Sequence, residues 1–395
     1  MNKIIPYGKQ SIDQEDIQAV IETLQSDFLT QGPKVLEFEE KFAKYVNAKY
    51  AVAVANGTAA LHLGALALGV QKGDYVIVTS LTFAASVNSI KYCGGEVIFA
   101  DIDPKTYLID INHVERILLE NSTKRIVGII PVDFAGRVVD TERLKQIAQQ
   151  YHCWIMEDAC HAPGGYFLNQ SQEKILAGSC HYSDLAIFSF HPVKHIACGE
   201  GGMITTNDEK IYHHLLKLRT HGITRNQSEF VNPTELADAN AQDDAYPMWY
   251  MEMQELGYNY RMPDVLCALG ISQLTKAAEG LAKRRTIAKK YDKVFQGQPN
   301  LKGASGVIEG HAYHLYILEI ENRKKVYDFL RTKGIFSQIH YFPVHLMPYY
   351  QSLGWKKGDL PHTENYYQHC ISIPMYPSIS EEELNYTIEQ IKSIL

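Results

Sequence analysis

The sequence predicts an α/β protein, in which a large domain with a mostly parallel sheet flanked by helices is followed by a smaller α+β domain. From residue 50 onward, short runs rich in β-branched and aromatic residues alternate with helical stretches, which is typical of a parallel sheet. The length of 395 residues exceeds one ordinary domain of roughly 150 residues. A content of 46% apolar and 21% charged residues is that of a globular chain and excludes fibrous or disordered structure.

The first residues predict an arm and two helices. We assign residues 1–30 to an N-terminal arm, within which residues 13–24 indicate a polar helix. Residues 33–46 predict an amphipathic helix, because apolar side chains recur there at helical spacing. These side chains are Val35, Leu36, Phe38, Phe42 and Val46. The large domain is expected over residues 31–262, and a linker helix with the smaller domain over residues 263–395.

Seven runs predict the strands of the large domain: AVAVA, YVIVTS, EVIFADI, IVGIIPVDF, CWIMED, LAIFSF and GGMITT. Beyond them, a charged helix is expected over residues 273–295, and the run HLYILEIE predicts a strand of the smaller domain. Residues 226–248 are polar and rich in Asn, Asp and Pro, which predicts a surface insertion or a mobile loop.

The charge balance and the cysteines limit the partners and the compartment. With 38 basic and 45 acidic side chains the net charge is −7, so no global positive field attracts nucleic acid or an anionic membrane. Residues 51–70 carry no charge, but Asn56-Gly57 divides this run into a strand and a helix, which argues against a membrane span. The N-terminus lacks the apolar core of a signal peptide, and the seven scattered cysteines indicate free thiols in a reducing compartment. We therefore expect a cytoplasmic protein.

The junction at Asn56-Gly57 is a candidate anion site. A small-residue strand turns there into a helix whose first turn contains Thr58 and Ala59, and its free backbone N–H groups and helix dipole would face an anion. Most junctions of this kind are simply turns, and that interpretation stays open. The sequence has neither G-x-G-x-x-G nor G-x-x-x-x-G-K-[ST], which disfavours a Rossmann dinucleotide site and a Walker nucleotide site.

Two polar side chains follow later strands of the predicted sheet. Asp158 ends a buried run, where open α/β sheets bind ligands, although an Asp there can equally cap a helix or pair with a cation. Lys194 follows an apolar strand, so burial would lower its pKa and make the neutral amine a nucleophile, whereas most single lysines are solvated surface charges. His191 and His195 are spaced like metal ligands, but Pro192 opposes a helix and no third ligand is evident. No metal site is expected.

Anion cradle, carboxylate and lysine together indicate a pyridoxal-phosphate site. In this interpretation Lys194 forms a Schiff base with the cofactor aldehyde, the helix N-terminus holds the phosphate, and Asp158 stabilises a protonated pyridine nitrogen. Phe83 comes just after the strand YVIVTS and either stacks on the cofactor ring or packs in the core.

Seven short motifs spread along nearly the whole chain carry a resemblance to a known family. They are Gly32-Pro33, Asn56-Gly57-Thr58-Ala59-Ala60, Thr82-Phe83, Glu157-Asp158-Ala159, Phe188-Ser189-Phe190-His191 with Lys194, Gly199-Glu200-Gly201-Gly202, and Gly257-Tyr258-Asn259-Tyr260-Arg261-Met262. Together they resemble the DegT/DnrJ/EryC1/StrS family of sugar-nucleotide aminotransferases, which have the fold-type I aminotransferase architecture. The resemblance implies pyridoxal 5'-phosphate as the cofactor.

The resemblance also implies roles for single residues around that cofactor. It implies Lys194 as the Schiff-base lysine, Asp158 at the pyridine nitrogen and Phe83 over the ring. The implied phosphate contacts are Gly57, Thr58, Ala59 and Ser189. His161 would lie near the ring hydroxyl, at a position where many relatives have glutamine, and would donate a hydrogen bond there.

The segment at residues 257–262 implies a homodimer. In the family, the asparagine that Asn259 matches reaches the cofactor phosphate of the neighbouring subunit, so the active sites would be shared. Tyr260 and Arg261 would lie near the entering sugar nucleotide, where a guanidinium offsets diphosphate charge, or they support the domain junction.

Two further features resemble the pseudaminic-acid branch of the family, whose enzymes aminate C4 of a UDP-linked 4-keto-6-deoxy-N-acetyl sugar. These are His161 in combination with the segment FHPVK at residues 190–194, and the stretch HYFPVHLMPYY at residues 340–350. His340 and Tyr341 would approach the substrate or pack the small domain. The implied reaction moves an amino group from L-glutamate to the ketosugar and forms UDP-4-amino-4,6-dideoxy-N-acetyl-beta-L-altrosamine and 2-oxoglutarate.

Three alternatives remain open. In the first, the acceptor is a different nucleotide-linked ketosugar. In the second, the protein is a pyridoxal-phosphate-dependent sugar dehydratase of the same family. Dehydratases carry histidine where this chain has Lys194, which argues against that assignment. A third alternative, from a different class, is a sensor that binds the cofactor without turnover.

Overall fold

The structure, a computed structural model, describes residues 4–238, 245–298, 301 and 308–395. In chain order the strands are β1 (Ile5–Pro6), β2 (Tyr50–Val54), β3 (Tyr75–Thr79), β4 (Glu96–Ala100), β5 (Ile126–Ile130), β6 (Trp154–Asp158), β7 (Tyr166–Leu168), β8 (Lys174–Leu176), β9 (Leu185–Ser189), β10 (Gly202–Thr206), β11 (Ile223–Thr224), β12 (Glu252–Met253), β13 (Tyr316–Glu319), β14 (Ile335–Phe336) and β15 (Cys370–Ile373).

The α-helices are α1 (Gln14–Leu24), α2 (Pro33–Val46), α3 (Gly57–Ala67), α4 (Ala84–Tyr92), α5 (Ile111–Glu120), α6 (Thr141–Gln150), α7 (Glu209–Arg219), α8 (Thr234–Ala237), α9 (Asp264–Thr275), α10 (Ala277–Phe295), α11 (Arg323–Thr332), α12 (Pro348–Gln351), α13 (Pro361–His369) and α14 (Glu381–Ile394). Short 3₁₀ turns occupy Phe134–Gly136, Gln227–Glu229 and Val344–Leu346. Helices α1 and α2 confirm the two helices predicted near the N-terminus.

The central sheet has the strand order β2-β10-β9-β6-β5-β3-β4. Strand β10 runs antiparallel to both of its neighbours, and the other pairs are parallel. Most residues of each strand are buried, as expected for a parallel sheet that helices cover on both faces. The sheet confirms the seven predicted strands and the mostly parallel α/β architecture.

The carboxyl ends of the parallel strands meet at one edge of this sheet. Asn56 follows β2 and Phe83 follows β3, while β6 ends at Asp158 and β9 at Ser189. Strands β6 and β9 are neighbours, with Asp158 opposite Ile187. Because ligands of open α/β sheets bind at this edge, the fold brings the predicted site residues to the same place.

Helix α3 follows β2 directly because Asn56 caps its first turn. The Ala59 N–H donates to Asn56 Oδ1 at 2.8 Å. Small residues let the helix lie close to the sheet, since a Cβ on Gly64 would come within 2.8 Å of Met156 Sδ. Residues 51–70 are therefore a strand followed by a helix, as predicted. In the part of the chain that the structure describes, no helix is both long and apolar enough to cross a membrane.

The C-terminal residues pack around the antiparallel strand pair β13–β15. Strand β13 lies within the run HLYILEIE and confirms the strand predicted there. Buried aromatic and aliphatic side chains join this pair to α10, α11 and α14: Tyr291, Phe295, Leu318, Leu330, Ile371 and Ile391. The proposed division of the chain at residues 30 and 262 stays a prediction.

One predicted helix is divided in the structure. The expectation of a single helix over residues 273–295 is wrong at its start, because α9 ends at Thr275 and α10 begins at Ala277. Helix α9 packs against α1 and α2, whereas α10 also contacts α14. Helix-forming residues continue across the joint at Lys276, so this change of packing partner leaves no local signal.

The N-terminal arm is tied to the C-terminal part of the chain. Strand β1 pairs in parallel with β14, with Ile5 opposite Ile335. The Met375 N–H donates to Tyr7 O at 2.8 Å. These contacts fix Tyr7 near the edge of the central sheet where the strands end.

The insertion predicted at residues 226–248 lies partly outside the described residues. Its described part contains the turn Gln227–Glu229 and the short helix α8. Val231, Leu236 and Met248 are strongly exposed there, which agrees with a surface segment.

Candidate active site

A cavity of about 470 Å³ opens at the edge of the sheet where the strands end. Its volume is that of a site for a cofactor or small ligand. Nine of the predicted site residues line it: Gly57, Thr58, Phe83, Asp158, His161, Ser189, Lys194, His340 and Tyr341. Further lining residues include Tyr7, Ser86, Cys160 and His314.

The start of α3 provides hydrogen-bond donors for an anion. The first N–H groups of a helix have no intrahelical acceptor, and Asn56 takes the one that belongs to Ala59. A Cβ on Gly57 would lie 2.9 Å from Ser189 Cβ, so glycine allows the helix start to approach the end of β9. Thr58 lines the cavity, but Ala59 does not, and its N–H is already used by the cap. The placement of Ala59 therefore does not support its predicted phosphate contact.

Asp158 is held as a hydrogen-bond acceptor in the cavity wall. The side chain is 5% exposed, Ser86 Oγ donates to its Oδ2 at 2.6 Å, and the Cys160 N–H donates to its Oδ1 at 3.2 Å. Thr82 Oγ1 lies 2.8 Å from Ser86 Oγ and fixes that hydroxyl in turn. The two donors hold both carboxylate oxygens in place, which suits a residue that would pair with a positive ring nitrogen.

Lys194 lies on the tight turn after β9, where its N–H donates to His191 O at 2.8 Å. Burial lowers the pKa of the Lys194 amine, while the nearby Cys160 thiol and Asp158 carboxylate oppose this effect. The sequence predicts such a lowered pKa, and the direction is confirmed. A lowered pKa raises the fraction of neutral amine that can attack a carbonyl at neutral pH.

A buried pair of carboxyl groups lies behind Asp158. Asp133 and Glu157 are almost fully buried, and Asp133 accepts from the Val139 N–H at 2.9 Å through Oδ1, while its Oδ2 has no hydrogen-bond partner among the described residues. Glu157 accepts from the Gly178 N–H and from Ser183 Oγ, both at 3.1 Å, so Asp133 is the more easily protonated of the two carboxyl groups. Burial, and secondly the Glu157 charge, raise the pKa of Asp133 well above its usual value.

The protonated Asp133 predicts a pH dependence of stability. Because its pKa is raised in the folded state, the native protein binds more protons than the unfolded chain above about pH 4, and stability falls as the pH rises from there. Asp133→Asn keeps a neutral side chain of the same shape beside Glu157 and removes this titration. In urea unfolding we expect the variant to lose less stability than the wild type between about pH 5 and about pH 8. Parallel profiles for the two proteins would contradict a protonated Asp133.

His161 joins the backbone to a tyrosine in the cavity wall. The Ala135 N–H donates to His161 Nδ1 at 3.3 Å, and His161 Nε2 lies 3.2 Å from Tyr341 Oη. Burial lowers the pKa of His161 well below its usual value, and the Lys194 charge adds to this effect. His161 is therefore neutral, and its ring is packed 4.3 Å from that of His314.

Aromatic side chains form much of the remaining wall. Phe83 is 63% exposed, which contradicts the core-packing interpretation, and its ring lies 6.2 Å from that of Tyr341. The ring of His340 lies 5.1 Å from that of Tyr7. His340 is otherwise held by Ser372, whose Oγ lies 2.8 Å from His340 Nδ1. An exposed phenyl ring at the cavity is available to cover a flat ligand.

Asn259, Tyr260 and Arg261 do not line this cavity. Their segment runs beside the end of β2, where the Ala55 N–H donates to Tyr260 O at 2.7 Å. Tyr260 Oη lies 3.3 Å from His62 Nδ1. Arg261 lines a separate groove, together with Gln31 and other residues. Within one chain, the structure therefore does not bring these three residues to the other site residues.

Sequence reasoning missed four residues of the cavity. Tyr7 reaches it through the two-residue strand β1, and His314 through the turn before β13, and neither segment has a recognisable pattern. Ser86 and Cys160 had a usable signal. Ser86 lies in the first turn of α4 after the Thr82-Phe83 motif, and Cys160 follows Asp158 by two residues, so both are adjacent to predicted site residues.

The side chains present fit pyridoxal phosphate. Gly57, Thr58 and Ser189 offer donors for a phosphate, Asp158 offers an acceptor for a protonated ring nitrogen, and Lys194 offers an amine for the aldehyde. In the described part of the chain, no group of three or more His, Cys, Asp or Glu residues is arranged to hold a metal ion. His195 instead hydrogen-bonds Ala312 O through Nε2 at 2.8 Å.

Fold and site together define a pyridoxal-phosphate-dependent aminotransferase of fold type I. The chain belongs to the DegT/DnrJ/EryC1/StrS aminotransferase family, whose model matches residues 10–392. This confirms the family resemblance, the cofactor and the transaminase class that the motifs indicate.

Relatives extend this similarity over the whole chain. The spore coat polysaccharide biosynthesis protein SpsC of Bacillus subtilis is 36% identical over 403 residues, which cover 100% of this chain and 98% of the relative. The UDP-4-amino-4,6-dideoxy-N-acetyl-beta-L-altrosamine transaminase of Campylobacter jejuni is 34% identical over 398 residues, with 99% and 98% covered. The similarity to the Campylobacter jejuni transaminase supports a sugar aminotransferase.

Solved structures agree with the fold. A putative sugar aminotransferase of Streptococcus pneumoniae in its pyridoxamine-phosphate form matches with a TM-score of 0.87 at 28% identity, covering 99% of this chain and 98% of that one, and a pyridoxal-phosphate form also matches. Helicobacter pylori PseC, an aminotransferase involved in the biosynthesis of pseudoaminic acid, matches with a TM-score of 0.86 at 26% identity, covering 99% of each chain.

Proposed function

We propose that the protein transfers the amino group of L-glutamate to C4 of a UDP-linked 4-keto-6-deoxy-N-acetyl sugar, forming UDP-4-amino-4,6-dideoxy-N-acetyl-beta-L-altrosamine for pseudaminic acid biosynthesis. The observation that carries the proposal is the convergence of Lys194, Asp158 and the start of α3 in one cavity. The 34% identity to the Campylobacter jejuni transaminase supports the choice of sugar. The fold similarity to Helicobacter pylori PseC supports it further.

Each site residue has a task in this reaction. When bound, pyridoxal phosphate supplies an electron sink for the carbanion that forms as a proton leaves the amine-bearing carbon. Gly57, Thr58 and Ser189 bind the phosphate, and Asp158 keeps a positive charge on the ring nitrogen. Lys194 first holds the cofactor covalently. Its freed amine then takes the proton from the donor carbon and delivers a proton to the acceptor carbon in the second half.

We further propose a homodimer with shared active sites. Tyr258 and Tyr260 stack at 5.0 Å on one side of their extended segment, so Asn259 between them points to the other side, where it is exposed. The segment is rigid, because the Tyr258 N–H donates to Leu218 O at 2.7 Å and the Tyr260 N–H to Arg219 O at 3.1 Å. A fixed, exposed amide outside its own cavity suits a contact with the partner's cofactor phosphate. Arg261 points to the same side as Asn259 in this alternation and would face the partner's sugar nucleotide, whereas Tyr260 lies on the opposite side against His62 of its own chain.

Exposed apolar side chains support a partner surface in the same region. Monomeric soluble proteins rarely expose such residues in contiguous patches. The exposed apolar side chains of the described residues from α8 to the Asn259 segment are Leu236, Met248, Trp249, Met251, Met253 and Leu256. All seven cysteines are free thiols, which supports the reducing cytoplasm as the compartment.

The substrate proposal is tested by a panel of UDP- and dTDP-linked 4-ketosugars offered with L-glutamate. We expect amination of the UDP-linked 4-keto-6-deoxy-N-acetyl sugar, seen by mass spectrometry as a product about one mass unit heavier than the ketosugar, because NH₂ and H replace the keto oxygen. Release of 2-oxoglutarate should match product in amount. Preference for a dTDP-linked sugar would contradict the proposed acceptor, and cofactor binding without 2-oxoglutarate release would favour the sensor.

A further inference from the structure

A short chain of hydrogen bonds fixes the direction in which Tyr341 can donate. The chain begins at the Ala135 N–H, which lies 3.3 Å from His161 Nδ1, and continues from His161 Nε2 to Tyr341 Oη over 3.2 Å. Ala135 has a φ of 60°, and Gly136 after it has a φ of 101°, so the N–H is presented by a left-handed turn directly after β5.

The positions of the protons follow from this chain. A backbone N–H can only donate, so His161 Nδ1 must carry a lone pair. A neutral imidazole has a single N–H, which must then be on Nε2, and that N–H donates to the oxygen of Tyr341. Tyr341 is therefore an acceptor toward His161, and this single N–H of His161 is not free for the hydrogen bond to the cofactor's ring hydroxyl that the family resemblance implies. The proton of Tyr341 itself must point to a different acceptor.

The environment keeps both groups neutral. Burial, and secondly the nearby Lys194 charge, lower the pKa of His161, so a positive charge on its ring is disfavoured. The ring of His314, 4.3 Å away, is buried as well, and burial also lowers its pKa. Burial likewise raises the pKa of the Tyr341 phenol, so it remains a donor at neutral pH.

No protein acceptor takes the Tyr341 proton among the described residues. The one hydrogen bond of its hydroxyl there is to His161, and the rings of Phe83 and Phe134 lie 6.2 and 6.1 Å from its own ring. Tyr341 lines the cavity, but it comes from the C-terminal part of the chain and not from the strand ends that hold the proposed cofactor contacts. A ligand bound in the cavity can therefore accept this proton.

We propose that the Tyr341 hydroxyl donates a hydrogen bond to the keto oxygen of the acceptor sugar, and that His161 is a positioning residue that aims this donor. The inference rests on the proposed aminotransferase function. A keto oxygen gains negative charge as an amine adds to its carbon, and a fixed donor stabilises that charge. The positioning role can be filled by glutamine as well as by histidine. A glutamine side chain at position 161 can accept from the Ala135 N–H through Oε1 and donate to Tyr341 through Nε2, as this histidine does.

The test compares Tyr341→Phe, His161→Gln and His161→Leu, with the exposed Tyr349→Phe as the matched control. We expect Tyr341→Phe and His161→Leu to slow single-turnover amination of the ketosugar by about 10- to 100-fold, and His161→Gln to stay within about threefold of the wild type. In the Tyr341→Phe background, His161→Leu should have no further effect, because its action passes through Tyr341. The visible absorbance of the bound cofactor should be unchanged in Tyr341→Phe.

Several results would overturn the inference. These are a Tyr341→Phe variant as fast as the control, a His161→Gln variant as slow as His161→Leu, or additive effects of the two sites. An absorbance shift in Tyr341→Phe would mean that the phenol donates to the cofactor ring instead. Nitrogen-15 NMR of histidine-labelled, cofactor-free protein gives an independent readout. The His161 signal is identified by its absence in His161→Gln, and it must show the proton on Nε2. If the wild type aminates no ketosugar but the NMR spectrum shows the proton on Nε2, the proposed substrate is wrong, while the hydrogen-bond chain from Ala135 to Tyr341 is still supported.

Discussion

Replacing Lys194 by alanine is expected to abolish amino transfer, with a fall in kcat of about 10⁴-fold or more. Among the described residues that line the cavity, Lys194 is the one that carries an amine, so no neighbour can replace it as covalent anchor or as proton carrier. Both halves of the reaction need these tasks. The measurement is 2-oxoglutarate release from L-glutamate in the first half and product mass in the second.

The loss must come from chemistry rather than from misfolding. Lys194→Ala removes a partly buried amine, so the variant should remain folded and should still bind pyridoxamine phosphate through Asp158 and the start of α3. The control is Lys324→Ala, which removes an exposed lysine paired with Asp328 and should leave activity unchanged. Normal turnover by the Lys194 variant would refute its assigned role.

Asn259→Glu is expected to inactivate the homodimer, because a carboxylate would replace the amide that we place against the partner's cofactor phosphate. A loss of about 100-fold or more is expected from like-charge repulsion at a contact excluded from water. The sharper test mixes two inactive variants. Co-expression of Lys194→Ala chains with Asn259→Glu chains gives heterodimers with one site in which both residues are native.

Activity should then return to about a quarter of the wild-type value, since half of randomly paired dimers are mixed and each has one intact site of two. Heterodimers purified through two different tags should reach about half. A mixed dimer without activity would show that Asn259 serves its own chain. The exposed Asn385, far along the chain on α14, offers an Asn→Glu control that should leave both values unchanged.

Much of the fold could be predicted because its signals are local. Runs such as YVIVT and LAIFS are short, β-branched and buried on both faces, and this pattern alone predicts strands of a covered parallel sheet. Asn56-Gly57 marks the start of α3 because the Asn caps it and the glycine allows the close contact with Ser189. Lys194 and Asp158 could be placed together, because both follow strands that end at the same edge.

The rest depends on contacts that no local pattern shows. Tyr7 reaches the cavity because β1 pairs with β14 more than 300 residues later. The pKa of Asp133 is raised because the chain segments that follow β5 and end β6 lie side by side and bury its carboxyl group near Glu157. The tautomer of His161 depends on the backbone conformation of Ala135, and the joint at Lys276 depends on which helices α9 and α10 contact. These are tertiary facts, and a sequence pattern of period two or 3.6 does not contain them.

The account depends most on Lys194 as the residue that holds the cofactor covalently. The direct measurement is borohydride reduction of the protein supplied with pyridoxal phosphate, followed by proteolysis and mass spectrometry of the peptides. The account predicts that the added mass is found on the peptide that contains Lys194 and disappears in Lys194→Ala. A stable adduct on another lysine, or no adduct in protein that has bound the cofactor, would contradict it.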